Sequence, residues 1–220
     1  MLIDITPTLS CDTPVYPGDS PFAIAWTVPR EAVLSAGACV SSVSLSPHAG
    51  AHVDAPMHLS HDGADAASLP LSTFIGPAAV IDLREALQGR RRAASSMLSA
   101  EDWRRVDAAP RVLLRTRGEP PAQWTDDFAG VEPELIEQFA LRGVKLLGID
   151  TPSADPMTSS EEADPLAAHH AAAARGMLIL ENLCFADAPA GIFELIALPL
   201  KWAGAEASPV RAVLRTPSPL

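Results

Sequence analysis

Apolar and polar positions along the chain predict a mixture of strands and helices. Residues 2–6 read as a short first strand and residues 22–28 as a second. From Cys39 the pattern alternates: Cys39, Val43 and Leu45 share one parity, and Ser42, Ser44 and Ser46 the other. The polar parity runs on into His48, His52 and Asp54, which predicts a half-buried strand delivering its polar side to a cleft. Residues 59–70, rich in Asp, Gly, Ala and Ser, read as a loop, and residues 77–83 as a buried strand. Ser99 with Asp102 three positions on resembles a capping box and predicts a helix around 100–106.

Val112 to Leu114 form the heart of another buried strand. Pro133 suits the first position of a helix that Gly143 would end. Val144 to Ile149 continue as a strand. An Ala-rich stretch over 160–175, with acids at the front and Arg175-Gly176 at the back, predicts a helix. Met177–Leu183, Ile192–Leu200 and Pro209–Arg215 supply the closing strands. Helices alternate with strands in the middle and strands stand alone at both ends, which predicts a mixed α/β fold, not a purely parallel sheet. No internal repeat or linker interrupts the chain, so residues 1–220 read as one domain.

A net charge of −11 disfavours nucleic acid and anionic membranes as partners, since both need clustered positive charge. Arg90-Arg91-Arg92 is short and reads as a solvated turn. The three cysteines show no paired spacing and read as free thiols. With no basic, apolar leader and no apolar run long enough to span a bilayer, the expected compartment is the cytoplasm. The 21 prolines are spread along the chain and read as stiff loops.

Chemistry enters with the histidines. Four of the six (His48, His52, His58, His61) fall within one short stretch, and the other two are the adjacent pair His169-His170. From His48 the offsets to His52, Asp54 and His58 are all even, so an extended chain would turn all four side chains to one side. Gly50 and Pro56 argue against a helix there. Three imidazoles and a carboxylate on one face point to a divalent metal, with an exposed polar face as the bland alternative.

Only one of His169 and His170 can face the same cleft, because neighbours on a helix point about 100° apart. Glu181 is a carboxylate inside the apolar run Leu178–Leu183 and is either buried against a partner or turned outward from an edge. His48, His52, Asp54, His169 and Glu181 are too many ligands for one tetrahedral ion with an open position, and they suit two ions sharing a carboxylate. With only nitrogen and oxygen donors, Zn2+ is the first expectation, and Mn2+ or Fe2+ also fit.

The run His48-x-Gly50-x-His52-x-Asp54-x-Pro56-x-His58 resembles the signature of the cyclase-like metal-dependent hydrolases, and within them the bacterial kynurenine formamidases (arylformamidases). Tyr16-Pro17-Gly18-Asp19, Gly148–Ser153, Ala168-His169-His170, Leu180-Glu181-Asn182, Glu194–Leu200 and Ser208–Val213 extend the likeness along the whole chain. The resemblance implies a three-layer fold of two sheets and helices, of the swivelling β/β/α type, and a homodimer. It implies two metal ions: His48, His52 and Asp54 on the first, with Asp54 bridging to a second held by His169 and Glu181. It implies His58 as the acid/base, and Tyr16 against the substrate.

Two positions depart from the pattern. Ala51 stands where Thr is usual, and Tyr16 where many kynurenine formamidases carry Trp.

The expected reaction is hydrolysis of N-formyl-L-kynurenine to L-kynurenine and formate, a step of tryptophan catabolism, on a small aromatic amide. A related cyclic-amide hydrolase, of the isatin hydrolase kind, is the nearest alternative. A metal-binding protein without catalysis fits less well, because storage needs no proton shuttle such as His58. His61 reads as loop surface, Asp150 as a turn cap, and Trp103, Trp124 and Trp202 as packing.

Overall fold

The computed structural model describes residues 1–157 and 164–216. In chain order its strands are β1 (Leu2–Asp4), β2 (Ala23–Val28), β3 (Val40–Ser44), β4 (His52–Asp54), β5 (Ile75–Asp82), β6 (Arg92–Ala93), β7 (Arg111–Arg115), β8 (Gly130–Val131), β9 (Leu146–Ile149), β10 (Leu178–Glu181), β11 (Gly191–Ile196), β12 (Ala207–Pro209) and β13 (Val213–Arg215). The helices are α1 (Val33–Ala36), α2 (Arg84–Leu87), α3 (Ala100–Asp107), α4 (Pro133–Leu141) and α5 (Ala167–Ala174).

Nine strands form one mixed sheet in the order β1-β13-β11-β5-β7-β9-β10-β4-β12. Its centre, β5 to β10, is parallel, and both flanks are antiparallel. The alternation read from the sequence therefore maps onto the sheet: helical crossovers where strands run parallel, bare strands where they do not.

Successive residues of the central strands face opposite sides. Val112 and Leu114 pack with Leu135, Ile136 and Phe139 of α4 and with Ala168 and Ala172 of α5. Leu113 between them faces a second core. That second core gathers Val53 from one end of the sheet and Ile3 and Leu214 from the other, so the sheet curls round it. The two sheets implied by the resemblance are the parallel centre and antiparallel flanks of this one curled sheet, with the helices as the third layer.

Local chemistry sets the helix ends. Ser99 Oγ accepts from Asp102 N at 3.2 Å while the Asp102 carboxylate accepts from Ser99 N at 3.0 Å, which completes the expected capping box of α3. Pro133 opens α4, and Gly143 follows its end with φ +80°. The described part of the Ala-rich helix is α5. The residues assigned to its start, 160–163, lie outside the described residues.

Two readings need correction. The single polar-faced strand expected from Cys39 through Asp54 is two strands. β3 ends at Ser44, and the chain turns through Pro47–Ala51, where Gly50 takes φ +69°. β4 then begins at His52. β3 is also exposed on both faces, paired only with β2 in a projecting hairpin. The closing stretch Pro209–Arg215 is likewise divided: β12 pairs with β4 and β13 with β1 and β11, so this segment joins the two ends of the sheet. Among the described residues, no helix is long and apolar enough to cross a membrane.

Candidate metal centre

β4 carries His52 and Asp54 two residues apart on one face, and Val53 between them turns into the core. Across the ladder His52 stands directly opposite Glu181 of β10. The carboxylate that looked anomalous inside an apolar run is thus a buried cross-strand neighbour of a buried imidazole. Immediately after Glu181, Asn182 takes φ +55°, a conformation Asn tolerates better than most residues, and the chain turns sharply away.

α5 presents His169 to the same place. Its Nε2 lies 3.4 Å from Asp54 Oδ2 and 3.2 Å from Glu181 Oε1. His52 Nε2 lies 3.4 Å from Glu181 Oε2 and 3.6 Å from Asp54 Oδ1. His48, on the turn before β4, places Nδ1 3.1 Å from Asp54 Oδ1. His58, in the 3-10 turn Pro56–His58, lies 4.7 Å from His48 and 6.1 Å from His169, ring centre to ring centre, with the rings tilted. Asp54 therefore sits at the centre, with His48, His52, His169 and Glu181 round it and His58 on its exposed side. All five candidate ligands and the candidate acid/base come together.

The donor geometry fits a cation. Among the described residues His52 Nε2 and both Asp54 carboxylate oxygens are buried without an aligned hydrogen bond, although His48, His169 and Glu181 bring polar atoms to within 3.1–3.4 Å of them. Such orphans are costly unless a ligand satisfies them. Ligand atoms of His52, Asp54 and Glu181 lie within 4.8 Å of one another, as do those of His48, Asp54 and His58, and Asp54 belongs to both groups.

The backing of the rings agrees. His52 Nδ1 lies 2.9 Å from the Gly50 carbonyl, which can only accept, so Nδ1 carries the hydrogen and Nε2 is left to bind. His169 Nδ1 meets Asp155 at 2.8 Å, with the same consequence.

Burial disfavours charge throughout, yet the pairings prevail. Against burial, Asp155, Asp54 and Glu181 push His169 up to about 12, and Glu181 and Asp54 raise His52. Asp54 is held well below the usual carboxylate range by His169 and His48 despite its burial. His58 goes the other way: loss of hydration on its inner face, with His48 and His169 alongside, lowers it, although Asp54 opposes the shift. A neutral His58 at the mouth of the site can take up a proton.

Several neighbours were not anticipated. Asp155 binds His169, and Arg92 binds Asp155 at 3.2 Å. Arg91 bonds the carbonyls of Asp126 and Met157 at 2.8 and 2.7 Å. The arginine run read as a solvated turn therefore staples the loops behind the site, a role only its distant partners reveal. Glu206 approaches His48 Nε2 at 3.6 Å. Trp124, read as packing, meets Tyr16 edge-on at 5.5 Å, and both line a cavity of about 580 Å³ that opens onto His48, His52, His58, His169 and Glu181. His170 points outward to Asp164, and His61 is exposed, as expected.

The sequence matches the family described as Putative cyclase over residues 3–156. Solved structures of similar fold include a potential metal-dependent hydrolase with cyclase activity, 24% identical, with TM-score 0.75 over 100% of this chain and 99% of that one. Isatin hydrolase A from Labrenzia aggregata, bound to benzyl benzoate, is 25% identical with TM-score 0.77, covering 99% and 94% of the two chains. Isatin hydrolase A from Ralstonia solanacearum is 22% identical with TM-score 0.78, covering 97% and 91%.

Proposed function

Since the chain belongs to the putative cyclase family, we propose that it is a metal-dependent amide hydrolase acting on N-formyl-L-kynurenine to give L-kynurenine and formate. The observation that carries this reading is the set of buried, unbonded donor atoms on His52 and Asp54, facing Glu181 and His169. In it His48, His52 and Asp54 would hold one divalent ion, and His169 and Glu181, together with Asp54, would hold a second. Nitrogen and oxygen donors alone suit Zn2+, with Mn2+ or Fe2+ also accommodated. When bound, such ions supply Lewis acidity, polarising an amide carbonyl and acidifying water.

The remaining roles belong to the chain's own groups. His58 takes a proton from the attacking water and delivers one to the departing aryl amine, a poor leaving group without it. Tyr16, Trp124 and Phe128 give the cavity aromatic walls for the substrate ring. Its volume lies within the range of small-molecule sites, about 300–1,000 Å³.

A second reading, hydrolysis of a ring amide, is favoured by the isatin hydrolases among the structural neighbours. The test is metal analysis of the purified protein with side-by-side turnover of N-formyl-L-kynurenine and isatin, before and after chelation. Turnover of the formamide that is lost on chelation and restored by metal is the expected result. Turnover of isatin alone would replace the first reading by the second.

A homodimer belongs to the same proposal. The β2–β3 hairpin leaves Ile24, Trp26, Val40 and Val43 each about half exposed, an apolar surface suited to a second copy of the chain.

A further inference from the structure

A second cavity, of about 270 Å³, adjoins the metal pocket. The two share Pro14, Trp124, Pro152 and Asn182 in their linings and so lie side by side. Among the described residues its lining is mostly proline and small polar residues, with one cation, Arg117, and two acids, Asp12 and Asp150.

Arg117 lies just past the end of β7, and its backbone N donates to Asp150 at 3.0 Å. Its half-buried guanidinium makes one side-chain hydrogen bond among the described residues, a long one of 3.4 Å from Nη2 to the Asp127 carbonyl. No ion pair joins it to a carboxylate among those residues. Of the acids near it, Asp150 lines the same cavity and accepts from Thr116 N and Oγ1 and from the Arg117 backbone, and Asp127 is turned to solvent.

Arg111 shows the contrast, since its guanidinium bonds the carbonyls of Ser72, Thr73, Ile75 and Pro77. A partly desolvated guanidinium with most of its donors unused, in a chain of net charge −11, is a fork for a planar anion. Asp12, which also lines the cavity, offers the opposite charge.

We propose that this cavity is a carboxylate subsite, in which Arg117 receives the carboxylate of an α-amino acid side chain while the amide lies in the metal pocket. Arg117 thereby selects aryl amides that carry such a side chain over compact ring amides. Asp12 is placed to meet the α-ammonium. This inference rests on the amide-hydrolase reading and sharpens its substrate class.

The test compares kcat/KM of the metal-loaded protein for N-formyl-L-kynurenine and for 2-formamidoacetophenone, the same formanilide without the amino acid. Arg117→Ala is expected to narrow the preference for the former about ten- to hundredfold, chiefly through KM, the size of a lost charge-assisted hydrogen bond. Arg117→Lys should recover part of it. An unchanged preference, or equal loss on both amides, overturns the subsite.

Should the wild-type protein hydrolyse neither amide, the functional reading fails by itself. The subsite is then decided by calorimetric binding of L-kynurenine. Binding to wild type that weakens in Arg117→Ala supports it, and binding that is absent or unaltered overturns it.

Discussion

Asp155 takes hold of His169 at two points, accepting from its backbone N at 3.0 Å and meeting its ring Nδ1 at 2.8 Å. The other oxygen of the carboxylate accepts from Ala168 N at 2.9 Å and faces Arg92. One acid thus anchors the start of α5, fixes the tautomer of the ring and sets its direction towards Asp54 and Glu181. Asp155→Asn removes the charge and leaves one oxygen for four donors. Metal affinity is expected to fall about 10- to 100-fold, read by competition with a chromophoric chelator. An unchanged circular dichroism spectrum would separate this from unfolding.

His58 is exposed at the rim of the site, and no hydrogen bond of its ring ties it to the fold among the described residues. His58→Ala should therefore keep the protein's metal content while lowering turnover of the formamide by about 10²- to 10⁴-fold. Full activity in that variant would remove the proton-transfer role.

Asp150 gives a pH test outside the metal centre. Burial pushes its carboxyl up to about 6 from 3.8, although Thr116 and Arg117 oppose the shift with hydrogen bonds. The folded chain therefore keeps this proton at pH values where the unfolded chain has released it. The resulting stabilisation is complete below the unfolded value and is lost as pH rises through about 6. Wild type should lose about 1.4 kcal/mol relative to Asp150→Asn between pH 5 and pH 8, measured by paired denaturant melts. A stability difference that does not vary with pH would mean that Asp150 stays ionised throughout.

The projecting hairpin is open to a direct measurement. Trp26→Ser with Val43→Ser removes two of its large exposed apolar side chains without touching the core. Sedimentation should find a dimer for wild type and a monomer for the double variant. A monomeric wild type would dismiss self-association through this arm.

Much of the architecture was legible because local signals and burial agreed. Ser99-Asp102 and Pro133 marked two helix starts correctly, and continuous apolar runs located β5, β7, β9 and β10. The ligand-rich stretch was legible for a partly mistaken reason. Strand parity holds only for His52 and Asp54, while His48 and His58 arrive by a turn at Gly50 and a 3-10 turn at Pro56.

What stayed hidden depends on contacts between distant parts of the chain. Nothing near Asp155 in sequence marks it as the partner of His169 rather than a turn residue, and Arg92 looks like any surface arginine until Asp155 is opposite it. Arg117 was missed for the same reason, since its surroundings come from four separate stretches of chain.

The order in which the sheet is wound has a kinetic corollary. β4, bearing His52 and Asp54, is edged by β12, and β1 finds its partner only in β13. A ribosome must deliver the chain as far as β12 and β13 before these pairings can form, so the sheet margins stay open until then. Capture of a cation should accordingly be among the last events of maturation, coincident with closure of the curl.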